Sequence, residues 1–129
     1  MEQRPSISSQ TVMFYYDDLA AADRFYGATL GLDKTNDFGW AKFFRVSSGA
    51  EVGIVKAGPG AYFTPQPRNA VMLSIVTDDV DAWYLRLKAE PAVVFLVDIH
   101  TPESAPIRNF IVQDPGGYAV EFFQWLRKP

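Results

Sequence analysis

"IVQDPGGYAVEFFQWL", residues 111–126, reads as strand, tight turn, strand. Two runs rich in β-branched and aromatic residues flank Asp114-Pro115-Gly116-Gly117. On the second run, four residues past the glycine pair, Glu121 stands alone among apolar neighbours. A charge on so apolar a strand is costly to bury unless something compensates it. Glu121 is therefore a candidate metal ligand, a candidate base, or a group with no chemistry at all.

Working outward, the same plan occurs twice. "TVMFYYDDLAAADRFYGATLGL" (11–32) opens as a strand, offers Asp17-Asp18 as a helix cap, and then carries Leu19, Ala22, Tyr26 and Leu30 on one stripe, with Gly31 as the stop. "VMLSIVTDDVDAWYLRLKAEP" (71–91) repeats it, with Asp78-Asp79 as the cap, Val80, Trp83, Tyr84 and Leu87 at helical spacing, and Pro91 ending the helix. Strands are predicted around Asp33–Asn36, at "WAKFFRVS" (40–47) and "EVGIVKA" (51–57), and again at "AVVFLV" (92–97), "IRNFIVQ" (107–113) and "YAVEFFQW" (118–125). The turns "SSGA" and "DPGG" close the last hairpin of each half, and aligning them sets Gly49 opposite Gly117 and Gly53 opposite Glu121. "GPGAYFTPQPRN" (58–69), with three prolines and two glycines, is an irregular linker. The chain is thus α+β: two βαβββ modules in tandem, about 10–57 and 70–125, within one domain spanning 1–129.

Composition narrows the function classes. In 129 residues with 48% hydrophobic and 21% charged content, the net charge is −3 and no basic cluster exceeds Arg127-Lys128. Neither nucleic acid nor an anionic membrane is expected as a partner. With no cysteine, thiolate zinc sites, disulfides and a Cys nucleophile are excluded. "MEQRPSISSQ" lacks the apolar core of a signal peptide and the longest apolar run is "AVVFLV", so a cytoplasmic protein is expected. Ten Phe, six Tyr and three Trp fit an apolar pocket or an interface, and equally a Phe-rich core.

Three stretches carry a family resemblance: Asp18-Leu19 with "RFY" at 24–26, "TDDVDAWYLRLKA" at 77–89, and "FIVQDPGGYAVEFFQ" at 110–124. Together they resemble the vicinal oxygen chelate proteins, also called the glyoxalase/bleomycin-resistance/dioxygenase group, from about Gln10 to Trp125. The resemblance implies a curled mixed sheet with helices outside, lining an open cup for a metal or small molecule, and a homodimer. Strand alternation then sends Val12, Phe14 and Tyr16 to the helix side and Thr11, Met13 and Tyr15 to the cup. Leu73, Ile75, Val120 and Phe122 likewise point away from the cup, and Met72, Ser74, Val76, Ala119, Glu121 and Phe123 point into it.

Metal-using members of this family carry four ligands on the cup floor, typically His or Gln, Glu, His and Glu. Carried over, those slots hold Thr11, Gly53, Met72 and Glu121, of which only the last is a competent donor. One carboxylate does not hold a divalent ion where about three protein ligands are needed. A register slip would offer Gln10 but turn Val12 and Phe14 away from the helix. His100, the only histidine, falls in the irregular "DIHTPESAP". No metal and no cofactor is expected, and with them go glyoxalase I-type isomerisation, extradiol cleavage and metal-dependent fosfomycin opening.

Two functions stay open. Metal-free members of the family include drug-sequestering resistance proteins, so the cup is a candidate binding site for a small hydrophobic or aromatic molecule. Its lining would be Thr11, Met13, Tyr15, Met72, Ser74 and Phe123, together with Trp40, Tyr62, Phe63 and Phe110, and Glu121 would pair with a cationic or hydrogen-bonding group. For Trp40 and Phe110, filling the cup or burying a dimer interface is the simpler role. Alternatively Glu121 is the general base of a metal-independent lyase or isomerase, with Tyr15 or Ser74 donating to an enolate. A structural alternative pairs Glu121 with Arg108 or Arg45.

Overall fold

Alternation in the first strand fixes how the chain is layered. The structure is a computed structural model that describes residues 4–127. In β1 (Gln10–Tyr16), Phe14 and Tyr16 are buried while Thr11 and Met13 are exposed, the facing expected from the sequence. Two four-stranded mixed sheets follow, the first in the order β1-β4-β3-β2 with β2 Asp33–Asp37, β3 Ala41–Ser47 and β4 Ala50–Lys56. The second is ordered β5-β8-β7-β6, from β5 Met72–Val76, β6 Val94–His100, β7 Ile107–Gln113 and β8 Ala119–Trp125. In each sheet the first strand runs parallel to the last, and the sheets do not close into a barrel.

One helix covers each sheet. α1 (Leu19–Arg24) is capped by Asp18, whose carboxylate accepts from the Ala21 amide at 3.0 Å. It then widens into a π-helical turn over Phe25–Thr29, closed by the Leu30 amide on the Phe25 carbonyl at 2.8 Å, where the sequence predicted one regular helix. The extra residue per turn lets the adjacent Phe25 and Tyr26 both point inward, which regular helical spacing does not favour. α2 (Val80–Lys88) buries Val80 and Leu87, but the predicted Asp79 cap makes no side-chain bond. Gln124 on β8 serves instead, accepting from the Val80 amide at 3.2 Å.

β6 runs three residues beyond its predicted end and takes His100 out of the loop. Phe95, Val97 and Ile99 alternate inward through Asp98, which is exposed and accepts from Tyr84 Oη at 2.7 Å. A lone charge on the outer face does not end a strand.

The buried residues of both modules form one cluster, including Phe14, Tyr26, Phe44 and Ile54 from the first and Leu87, Phe110, Val120 and Phe122 from the second. Each such side chain contributes about 1.5–3 kcal/mol on burial. The modules meet at the "DPGG" turn. Asp114 accepts from Tyr16 Oη on β1, from Tyr26 Oη at 2.7 Å, and from the Gly116 and Tyr118 amides at 2.8 and 2.9 Å. Tyr118 stacks on Phe14 with centroids 4.1 Å apart, and its hydroxyl bonds both the amide and the carbonyl of Tyr15. That closes part of the open edge of β1. Gly117, at φ +83°, lies under the Pro67 carbonyl, where a Cβ would collide. Among the described residues no helix is long and apolar enough to cross a membrane.

Candidate functional site

Strand register decides what the four floor positions offer. Met13 pairs with Gly53 across β1 and β4, and Ser74 pairs with Glu121 across β5 and β8, so Gly53 and Glu121 are equivalent positions of the two modules. The slip that would have brought in Gln10 is ruled out, because Phe14 and Tyr16 are in the core. At Gly53 a Cβ would sit 2.6 Å from Met13 Sδ and 3.1 Å from Phe43, so the thioether occupies the space a ligating side chain would use. In the second module the corresponding space holds a carboxylate and a hydroxyl.

Glu121 is 8% exposed, and each of its oxygens accepts one hydrogen bond. Ser74 Oγ donates to Oε1 at 2.7 Å, and Asn109 Nδ2 donates to Oε2 at 2.8 Å. These donors offset part of the cost of burying the group. The alternative pairing of Glu121 with Arg108 or Arg45 is not seen among the described residues: Arg108 bonds Asp81 at 3.1 Å, and exposed Arg45, opposite Glu51 on β4, forms no ion pair. Asn109 is itself 7% exposed, and its Oδ1 is buried without a donor.

A divalent metal does not fit this donor set. Thr11, Gly53 and Met72 supply nothing suitable beside Glu121, and no three His, Cys, Asp or Glu side chains converge among the described residues. His100 pairs with Asn109 across β6 and β7, but it is exposed and its Nδ1 lies 3.1 Å from the Asp98 carbonyl.

Some of the remaining candidates line one of two hollows. One, of about 700 Å³, is walled by Met13, Tyr15, Trp40, Val55 and Tyr62 and floored by the linker at 57–61. Trp40 is 65% exposed there and Tyr62 91%. Phe63 packs edge-on to Tyr15 at 5.4 Å. The other, of about 520 Å³, lies between the start of β1 and the end of β5 and is lined by Thr11, Glu51 and Ser74 among others. Met72 is exposed and Phe123 half-buried, outside both linings.

Phe110 does not belong with the ligand-lining residues. It is wholly buried, stacked on Phe122 at 5.1 Å and packed against Tyr84 and Phe95 on the helix side. Its β7 neighbours Asn109 and Ile111 take the cup face instead, paired with Phe123 and Glu121. The sequence reading passed over Asn109 and Glu51. Alternation along "IRNFIVQ", with Phe110 and Val112 inward, would have exposed the first, and the Thr11–Glu51 pairing of β1 with β4 the second.

Asp114, in the most specific motif, lies in the module junction and not in either hollow. Burial pushes its carboxyl up against the opposing effect of its four hydrogen bonds, and burial likewise pushes the Tyr16 and Tyr26 hydroxyls well above the ordinary tyrosine range.

Comparison with known proteins bears on this geometry. A family model described as the glyoxalase/bleomycin resistance protein/dioxygenase superfamily matches residues 9–122. No curated protein matches. Among solved structures, a glyoxalase/bleomycin resistance protein/dioxygenase from Nocardioides superposes with a TM-score of 0.75 at 22% identity, covering 100% of this chain and 89% of its own. A lactoylglutathione lyase from Agrobacterium tumefaciens gives 0.69 at 24% identity, with 94% and 95% coverage. TioX from Micromonospora sp. ML1 gives 0.72 at 18% identity, with 91% and 98% coverage. At these identities the structural likeness speaks for the fold alone.

Proposed function

Because the chain belongs to the glyoxalase/bleomycin resistance protein/dioxygenase superfamily, we propose that it is a metal-independent binding protein of that fold, holding a small hydrophobic or aromatic molecule in its cup. The observation that carries this is the 700 Å³ hollow, where Trp40 and Tyr62 stand largely exposed beside Met13 and Tyr15. Aromatic faces left open around an apolar concavity are costly to keep in water, and they suit a planar ligand that stacks between them. Adjustable Met13 adapts the wall to ligands of different outline.

The donor set supports the metal-free part of the reading. The four positions that bind metal elsewhere in the superfamily hold a hydroxyl, a glycine covered by a thioether, a second thioether, and one carboxylate already bonded twice. A homodimer belongs to the same proposal. Val94, Leu96 and Trp125 leave apolar surface on the second sheet that a second copy would cover.

Binding of an aromatic dye should quench tryptophan emission at micromolar concentration, with and without chelator. Trp40→Ala should remove most of that quenching, while Trp125→Phe should retain it. Binding that disappears with chelator, or is indifferent to Trp40→Ala, would overturn the proposal.

One observation favours a second reading, in which Glu121 is a general base. Ser74 is exposed and donates to Glu121 at 2.7 Å, so rotation of one hydroxyl opens a carboxylate oxygen toward the cup. Once rotated off Glu121, the Ser74 hydroxyl is free to donate to a developing enolate, whereas Tyr15 lines the other hollow. Glu121→Gln should then abolish turnover of a carbonyl substrate with affinity retained.

A further inference from the structure

The segment that floors the 700 Å³ hollow is held at its ends and little between them. At the near end the Ala57 amide donates to the Tyr16 carbonyl at 2.8 Å. At the far end the Pro67 carbonyl sits against Gly117, and Asn69 Nδ2 donates to the Gly116 carbonyl at 3.2 Å. Among the described residues, the hydrogen bonds of 58–66 are internal to the linker. The Ala61 amide donates to the Gly58 carbonyl at 3.0 Å, Gln66 Nε2 to the Thr64 carbonyl at 3.3 Å, and Asn69 Nδ2 to the Gln66 carbonyl at 3.2 Å.

Both halves of this segment border open space. Residues 59–62 line the 700 Å³ hollow, and Pro65, Gln66 and Pro67 line a second cavity of about 420 Å³ together with Tyr16 and Gly116. Gly58 and Gly60 stand at φ +123° and +89°, and a Cβ on either would meet nothing within 4 Å. Glycines with free space around them suit the dihedral changes of a hinge. Beyond them come two aromatic rings, Tyr62 and the 68% exposed Phe63. Phe63 rests edge-on against Tyr15, and Tyr62 keeps almost its whole surface in water. Trp40, by contrast, sits on a fixed element. Its carbonyl accepts from the Lys56 amide at 2.8 Å, and the Phe38 amide closes the turn around it on the Ala41 carbonyl at 2.8 Å. The hollow thus has one aromatic side that is fixed and one carried on a loosely held segment.

We propose that residues 58–66 are a strap that folds inward when the hollow is filled, bringing Tyr62 onto the face of a flat ring system whose other face lies against Trp40. This rests on the aromatic-cup reading and narrows its ligand class. A planar molecule offers two faces to two rings, and a bulky aliphatic one of equal volume does not. Taking the Tyr62 ring and both ligand faces out of water supplies the driving force for closure. The open arrangement leaves the entrance free, so closure acts on release and not on entry.

Three flat three-ring probes of different charge, lumichrome, proflavine and resorufin, test this by quenching of tryptophan emission in the full chain, and each that binds is carried forward. Chymotrypsin should cut the free protein first after Tyr62 or Phe63, and saturating probe should slow that cut at least about ten-fold. Tyr62→Ala should raise koff about ten-fold in stopped flow with kon within about two-fold, and Tyr62→Phe should leave both unchanged. Because Tyr62 is exposed, both variants keep the fold, which circular dichroism checks. Quenching with no protection of the strap would overturn the closure and leave the aromatic cup standing. So would a free chain resistant at Tyr62 and Phe63, or a koff indifferent to Tyr62→Ala. No quenching by any of the three probes would overturn both readings.

Discussion

Replacing Asp114 with Ala tests what holds the two modules in one core. The carboxylate accepts from two tyrosine hydroxyls of the first module and two amides of its own turn. Alanine strands all four donors. Each unsatisfied buried donor costs about 1–3 kcal/mol. The sum is reduced because Tyr16 and Tyr26 lie within 3.5 Å and can bond each other, and because a buried carboxylate is removed with its own desolvation cost. A net loss of about 3–4 kcal/mol remains. For a chain of 129 residues that lowers Tm by about 10–15 °C. Tyr16→Phe, which removes one donor and leaves three, should cost only about 1 kcal/mol. Urea unfolding followed by far-UV circular dichroism and by tryptophan emission measures both. A loss below about 1 kcal/mol for Asp114→Ala, with the two probes still coincident, would refute the assignment of Asp114 as the junction's polar anchor.

Three further outcomes follow from the same contacts. Because burial raises the Asp114 carboxyl in the folded protein, the native state binds the extra proton. Its contribution to stability is full below the ordinary carboxylate range near about 4 and is lost as pH rises through the raised value. Urea midpoints of Asp114→Asn should lack that fall, and an unchanged pH profile would contradict the sign. Gly117→Ala should destabilise by about 2 kcal/mol or more, since it combines a positive φ with a backbone collision at Pro67, and a neutral result in thermal unfolding would refute the contact. Gly53→Ala should cost only about 1 kcal/mol because the obstructing Met13 tip is flexible, and Met13→Ala made together with it should show coupling in a double-mutant cycle.

Much of this architecture is legible in the sequence because strand alternation is a strict code. Val12, Phe14 and Tyr16 against Thr11, Met13 and Tyr15 fixes the faces of β1, and the two hairpin turns fix the equivalence of Gly53 and Glu121. Where the reading fell short, the cause is tertiary. The π-helical turn at Phe25–Thr29 exists because two adjacent aromatics are both drawn into the core, and helical periodicity alone cannot show it. Phe110 looks like any other aromatic until β7 is paired with β8, which sends it to the helix side and puts Asn109 beside Glu121. The motif with the strongest family signature divides its labour in the same way. Asp114 ties the modules together, and Glu121, seven residues on, faces the cup.

The most direct test of the central claim is a crystal of the full chain grown with an aromatic dye that quenches its tryptophan emission. Density for the dye is expected in the hollow between Tyr15, Trp40 and Tyr62, lying against the Trp40 ring and beside Met13. Density elsewhere on the molecule, with that hollow filled by its own side chains, would contradict it.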